Sequence, residues 1–354
     1  MGILLLLSIL YIDFKGIWIP RWSIKDRNEI FEHLEGEFNH IFLQIFALGE
    51  AYYPSEYTTS KVQSGKWLKD FLEEAHLRNI KVSAWINVFY CWGYAARTVN
   101  PTHSINRNPN WYVHDRTGRS ILDYSVDELK KLGAEGYYLS PANHQVRSYI
   151  TNIAAEIIDN YDFDGIHLDY IRYPGSEFIY DVSARSKFMR KYYIDPNDIL
   201  MKTTLKRKLS LWGFDDITQR WRNFVCDDLT LFVKELSEQL KRKEPGLQIS
   251  VAVKPNYVTA RSQYYQDWTT WLNSGFVDFV CLMAYGKHIR KNLNSVLEAI
   301  DKPHKVVVGL GLYALSPWEI KKQIALIRPK PFSGIVFFSY DQLKENKEYL
   351  HSLR

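Results

Sequence analysis

The run Tyr161-Asp162-Phe163-Asp164-Gly165-Ile166-His167-Leu168-Asp169-Tyr170-Ile171-Arg172-Tyr173-Pro174 places a histidine and an acid at the far end of an apolar stretch. In a strand over 163–171, side chains alternate, so Phe163, Gly165, His167 and Asp169 share one face. An ionised aspartate sunk in an apolar layer costs several kcal/mol unless it is paired or solvated. The economical place for Asp169 is therefore a C-terminal rim, where solvent and ligand reach it. Pro174 and Gly175 end the strand just beyond. Parallel-barrel enzymes carry their reacting carboxyl groups at that rim. The plainer reading is an aspartate that only ties down a loop through Arg172.

Asp169 has the residue type for acid, base or nucleophile work on a polyhydroxylated ligand. Cleaving a glycosidic bond needs two carboxyl groups flanking it: one protonates the leaving oxygen, the other attacks the anomeric carbon or activates water. Asp169 is expected as nucleophile or base. Glu50, in Gly49-Glu50-Ala51-Tyr52-Tyr53 after a strand end, is expected as the acid, with a solvated loop glutamate as the rival reading. Asp341 and Asp267 are weaker choices. Arg172 and Lys254 can hold Asp169 ionised or bind a charged substrate group. Asn87 and His167 would meet hydroxyls, although buried structural hydrogen bonding suits His167 nearly as well. Trp18, Trp85 and Tyr285 complete the expected substrate-binding rim.

These residues converge only if the chain closes a ring of strands. Eight apolar runs with strand character recur, over 14–20, 40–46, 81–89, 163–171, 247–255, 277–285, 305–313 and 333–340. Amphipathic patterns fall between them, over 25–34, 64–78, 143–160, 214–243, 262–274, 293–300 and 317–327. Strand-then-helix alternation of this kind predicts an α/β fold, a (β/α)₈ TIM barrel in one domain. Near-continuous apolar strands agree, because barrel strands are covered on both sides. A doubly wound sheet is disfavoured: Pro20-Arg21-Trp22, not a glycine-rich phosphate loop, follows the first strand. The long intervals 90–162 and 172–246 are expected to rise from the C-terminal face and shape a cleft.

Composition fits a globular protein of 354 residues, with 46% apolar and 24% charged residues. Eleven Trp and 24 Tyr suit sugar rings or protein partners, although for any single one packing is the better reading. The net charge of +5 is dispersed. Its short basic runs at 202–208 and 241–243 lack the pattern of a nucleic-acid module, so no nucleic-acid partner is expected. Cys91, Cys226 and Cys281 form neither a zinc spacing nor a disulfide framework. With no metal-binding His pair, no phosphate loop and no Gly-x-Ser-x-Gly elbow, no cofactor or metal is expected. Residues 1–12 open with an apolar run too short for a stable membrane span but of the length of a signal-peptide core. It lacks a basic start and an Ala-x-Ala site. Export is the favoured reading; an incomplete start, or an apolar segment packing beneath the barrel, is the alternative.

The stretch Asp164 to Pro174 resembles the signature of the glycosyl-hydrolase-like family ten domain, the group that contains bacterial divisome-associated peptidoglycan glycosidases. Matching pieces in family order are Gly16-Ile17-Trp18, Ala84-Trp85-Ile86-Asn87, Tyr138-Leu139-Ser140-Pro141, Gln266-Asp267-Trp268 with Trp271, Met283-Ala284-Tyr285 and Phe338-Ser339-Tyr340. The resemblance implies a TIM barrel at 13–354, hydrolysis of glycan strands, with cell-wall glycan as one substrate type, and export. Gly49-Glu50-Ala51 stands where the family usually reads Gly-Asp-Ala, and Lys15 where it often has Arg. The stretch also resembles the Asp-Gly-x-Asp-x-Asp-x-Glu run of family 18 chitinases. His167 replaces one of its acids and Ile171 its catalytic Glu, which argues against substrate-assisted chemistry. The expectation is a monomeric glycoside hydrolase acting on a polysaccharide, possible substrates being cell-wall or other amino-sugar glycans. The rival from another class is a non-catalytic carbohydrate-binding barrel.

Overall fold

The computed structural model describes residues 12–34, 36–200, 211–287 and 289–353. The apolar run at 1–10 and the basic run at 202–208 lie outside them. Eight parallel strands carry the fold: β1 (Phe14–Ile19), β2 (His40–Ala47), β3 (Lys81–Asn87), β4 (Gly165–Asp169), β5 (Gln248–Val253), β6 (Phe279–Met283), β7 (Val306–Gly311) and β8 (Gly334–Phe338). Each pairs with the next in sequence, and β8 returns to β1, so the sheet closes into the expected (β/α)₈ barrel. Each strand falls inside or within one residue of its apolar run. Several stop short at the C-terminal end, because rim residues leave the ladder to form loops. The run at 163–171 also starts late. There the Asp164 carboxylate accepts from the Val82 N–H at 2.7 Å and contacts His76 Nε2 at 3.0 Å, which fixes the base of β4 against β3.

Most of the connecting helices follow their amphipathic patterns. Asn143 caps His144–Asn160 by accepting from the Gln145 and Val146 N–H groups. Ser316 and Glu319 form a capping box on Pro317–Ile327. One expected helix, over 262–274, is instead two, Tyr257–Tyr264 and Trp268–Asn273. Tyr265 takes a left-handed φ of 57° and ends the first, and Asp267 caps the second through the Thr270 N–H. Asp267 therefore has a structural employment, reinforced by its ion pair to Arg261 at 3.1 Å.

Two apolar cores result. The larger fills the layer between strands and helices. The smaller fills the barrel lumen with Trp18, Phe42, Trp85, Phe279, Cys281, Val307 and Val336. Gly309 makes room for the largest of these: a Cβ there would sit 3.1 Å from the Trp18 ring and 2.6 Å from the Leu282 carbonyl oxygen. Two polar pairs sit inside this core, each satisfied by hydrogen bonds. His40 Nε2 meets Ser83 Oγ at 2.8 Å, and burial drives His40 down to a pKa of about 3, so it is neutral.

Candidate active site

Asp169 is the last residue of β4, beside Asn87 at the end of β3. It is 7% exposed, the one carboxyl group among the strand-end residues of the barrel. Trp85 Nε1 donates to its Oδ2 at 3.2 Å, and the Tyr170 N–H donates to its Oδ1 at 2.7 Å. The second bond depends on the turn: Tyr170 has φ 53°, a conformation sparsely populated by residues other than glycine. Packing holds it there. The Tyr170 ring stacks on Tyr90 at 4.4 Å and carries the Arg172 guanidinium at 4.2 Å on its face.

Arg172 is almost fully buried and bridges two acids. Its Nη1 lies 3.7 Å from Asp169 Oδ1, a charge contact longer than a hydrogen bond, and its Nη2 donates to Glu135 Oε2 at 2.9 Å. Lys254, just past β5, donates from Nζ to Glu135 Oε1 at 3.0 Å, and the Tyr138 hydroxyl donates to Oε2 at 3.0 Å. Glu135 comes from the long insertion after β3. There Val126–Lys131 forms a capped helix, Gly133 turns the chain, and Tyr137–Tyr138 pairs antiparallel with Tyr90–Trp92. Gly136 is required for this approach: its φ is 156°, and a Cβ would fall 2.2 Å from the Trp92 carbonyl oxygen.

The two carboxyl groups are driven apart in acidity. Burial raises Asp169 above the ordinary carboxyl range, and neither Arg172 nor its two hydrogen bonds offset that. Burial acts on Glu135 in the same sense, but Arg172 and Lys254 outweigh it and hold the carboxyl at about 2. Lys254 is lowered by burial and by Arg172. The site thus pairs an acid whose pKa burial raises with a carboxylate that is ionised throughout the physiological range.

The remaining expected residues fall into two groups. At the rim, Gln44 accepts from the Arg21 N–H and guanidinium, both at 3.2 Å, and donates to Asn87 Oδ1 at 3.3 Å. Tyr285 follows β6, stacks on Phe338 at 5.2 Å and meets Tyr313 edge-on at 6.0 Å. Burial, then the nearby Asp169 charge, raises its phenol well above the ordinary range. Below the rim, Trp18 and His167 are buried. Trp18 Nε1 donates to His167 Nε2 at 3.1 Å, and His167 Nδ1 meets Ser250 Oγ at 2.8 Å. Since Nε2 accepts, Nδ1 carries the proton and donates to the serine. Both ring nitrogens are thus engaged inside the barrel.

Glu50 lies elsewhere. It sits in the two-residue strand Glu50–Ala51 that turns back on the end of β2, 5% exposed, and its carboxylate pairs with Lys61 Nζ at 2.9 Å. No contact among the described residues joins it to Asp169. Asp341 accepts from Trp22 Nε1 and Ser23 Oγ, both at 3.0 Å, and ties the loop after β1 to the helix after β8. Among the described residues, no three His, Cys, Asp or Glu side chains gather as a metal site, and no helix is long and apolar enough to cross a membrane.

A profile of the family described as "Glycosyl hydrolase-like 10" matches residues 13–314. The chain belongs to that family. Among curated relatives it is 23% identical to the glycosyl hydrolase DigH of Escherichia coli K12, over 87% of this chain and 73% of that one. It is also 23% identical to the glycosyl hydrolase YngK of Bacillus subtilis, over 96% and 68%. Of solved structures, the PgaB (BpsB) glycoside hydrolase domain of Bordetella bronchiseptica aligns with a TM-score of 0.73 at 14% identity, covering 96% of this chain and 97% of that one. A GH18 chitinase from Cycas revoluta in complex with (GlcNAc)4 aligns at 0.56 and 13%, over 96% and 98%. Family and barrel together make this glycosyl hydrolase-like 10 member a glycosidase.

The feature of this family member that sequence reading passed over is Glu135. Its setting, Gly133-Ala134-Glu135-Gly136 before an aromatic pair, is the same type of signal as Gly49-Glu50-Ala51. Both are acids beside glycine in a loop. The difference between them is which loop arches over β4, and that is a property of the insertion's path.

Proposed function

We propose that the protein hydrolyses O-glycosidic bonds in a polysaccharide of the amino-sugar class, cell-wall glycan included, as an exported monomer. The observation that carries the reading is the pair Asp169 and Glu135, held on different nitrogens of one guanidinium with acidities pushed in opposite directions. Titratable pairs separated by their surroundings mark acid and base assignments. Asp169, protonated, donates to the leaving oxygen. Glu135, ionised and 39% exposed at its side chain, activates the attacking water. This takes the acid role from Glu50, whose carboxylate serves Lys61, and gives Asp169 the donor's part. Lys254, Arg172 and Asn87 hold sugar hydroxyls or charged groups, and Tyr285 with Trp85 walls the reacting ring. Trp18 and His167 support that wall from below. The amino-sugar class is supported by the bound (GlcNAc)4 of the chitinase with a similar barrel; export is supported by the apolar composition of residues 1–10.

Incubation with a panel of polysaccharides, peptidoglycan among them, read out by product mass, tests the reading. Cleavage of an amino-sugar glycan that Asp169→Asn abolishes supports it. Intact chains after long incubation, with measurable binding, would favour a non-catalytic carbohydrate-binding barrel. Cell fractionation and size-exclusion chromatography test export and the monomer.

A further inference from the structure

The N-terminal end of the barrel, opposite Asp169, holds a well of about 810 Å³, within the roughly 300–1,000 Å³ of small-molecule sites. Its floor is apolar: Phe14 lies 5.5 Å from Phe279 and 4.8 Å from His40 between ring centroids, with Val307 beside them. Phe332 and Ile327 form part of the wall.

The rim is cationic. Lys81, Lys305, Lys330, Arg328 and His304 line it against two acids, Asp13 and Asp278. Asp278 is already engaged by Lys241 Nζ at 2.7 Å and by the Ile249 N–H at 2.8 Å. Among the described residues Lys330 Nζ meets the neutral Asn294 amide oxygen, at 3.0 Å, and no carboxylate. The Lys81 and Lys305 ammonium groups make no hydrogen bond or ion pair among the described residues. An apolar well with uncommitted positive charge at its edge is complementary to a tail with a negative head.

The geometry points to a binding site for a single-chain anionic amphiphile, its hydrocarbon tail on the half-buried Phe14 and Phe332 and its headgroup on the Lys81 and Lys305 rim. This site is independent of the glycosidase centre and of its chemistry.

The test is calorimetric titration of the full chain with dodecyl phosphate below its micellar range. Saturable one-to-one binding is expected. Decyl phosphate should bind about fifteenfold more weakly, two methylenes at about fourfold each. Dodecyltrimethylammonium should bind at least tenfold more weakly than dodecyl phosphate. The double variant Lys81→Gln/Lys305→Gln should lose at least tenfold in affinity with an unchanged melting temperature, and Asp169→Asn should lose nothing. Equal binding of the cationic amphiphile, no chain-length dependence, or full affinity in the double variant overturns the site. Residues 1–11, apolar in composition and joined to the described chain at Ile12 on the wall of the well, are the competing occupant. If the full chain binds nothing but the variant Leu4→Ser/Leu5→Ser/Leu6→Ser/Leu7→Ser does, the well belongs to them and the proposal fails.

Discussion

Trp85 Nε1 donates to Asp169 Oδ2 at 3.2 Å, so a lumen tryptophan contributes to the acidity of the rim carboxyl. A donor to the ionised form favours ionisation, here against the larger effect of burial. Trp85→Phe keeps most of the packing and removes the donor. Hydrogen bonds to charged groups are worth about 1.5–3 kcal/mol, on the order of one pKa unit or more. If Asp169 is the proton donor, activity falls as pH rises through its pKa. The alkaline limb of the kcat/KM profile should therefore move up by about one unit in Trp85→Phe. An unmoved limb would reject the donor role.

Asp169→Asn should abolish hydrolysis yet leave a protein at least as stable at neutral pH. The sign follows from the raised pKa. A carboxyl whose folded pKa exceeds its unfolded value loses stability as pH rises through the folded pKa, because ionisation is then opposed by burial. Asparagine removes that loss. Thermal melts of both proteins from acid to neutral pH check it: wild type should drop relative to the variant as pH rises.

Glu135 has the opposite sign. Its carboxyl is depressed from 4.5 to about 2, so its pairing with Arg172 and Lys254 contributes in full above about pH 4.5 and is lost as pH falls toward 2. With its side chain 39% exposed, solvent screening trims the contribution to about 1–2 kcal/mol. Glu135→Gln should flatten the melting temperature in that window. It should also lower kcat by about 10²–10⁴-fold, the range for a lost general base. Melts and kinetics on one preparation separate the two effects.

The bridge through Arg172 bears on stereochemistry. Asp169 and Glu135 contact different guanidinium nitrogens, and in the proposed assignment Glu135 activates water instead of attacking the anomeric carbon itself. Inversion is expected. Proton NMR of the first-formed product anomer decides, and retention would remove Glu135 from the water-activating role.

Trp18→Phe should cost roughly 1–3 kcal/mol, because the buried His167 Nε2 then accepts from nothing. Urea denaturation measures this. Recovery by a second change, His167→Phe, would show that the loss came from the orphaned nitrogen and not from the missing indole ring.

The eight-stranded ring was legible in the chain itself. Strand periodicity and apolar continuity are local signals, and β4 announced itself through Phe163, Gly165, His167 and Asp169 on one face. Asp169 does end β4, but the solvent contact expected for its charge is absent: it is buried, and burial raises its pKa instead. The helix over 262–274 was less legible, because the Tyr265 turn and the Asp267 cap break a pattern whose amphipathic period continues across them.

Tertiary structure alone decided which acid faces Asp169. Glu50 and Glu135 share the same local grammar, an acid beside glycine and just ahead of a tyrosine pair. The 90–143 insertion folds its strand at Tyr137–Tyr138 against Tyr90–Trp92 and carries Glu135 to Arg172, while Glu50 turns away to Lys61. Local sequence determines which residues can form a strand, a cap or a turn. Where an insertion arches depends on pairings between segments dozens of positions apart, and those contacts choose between two chemically equivalent candidates.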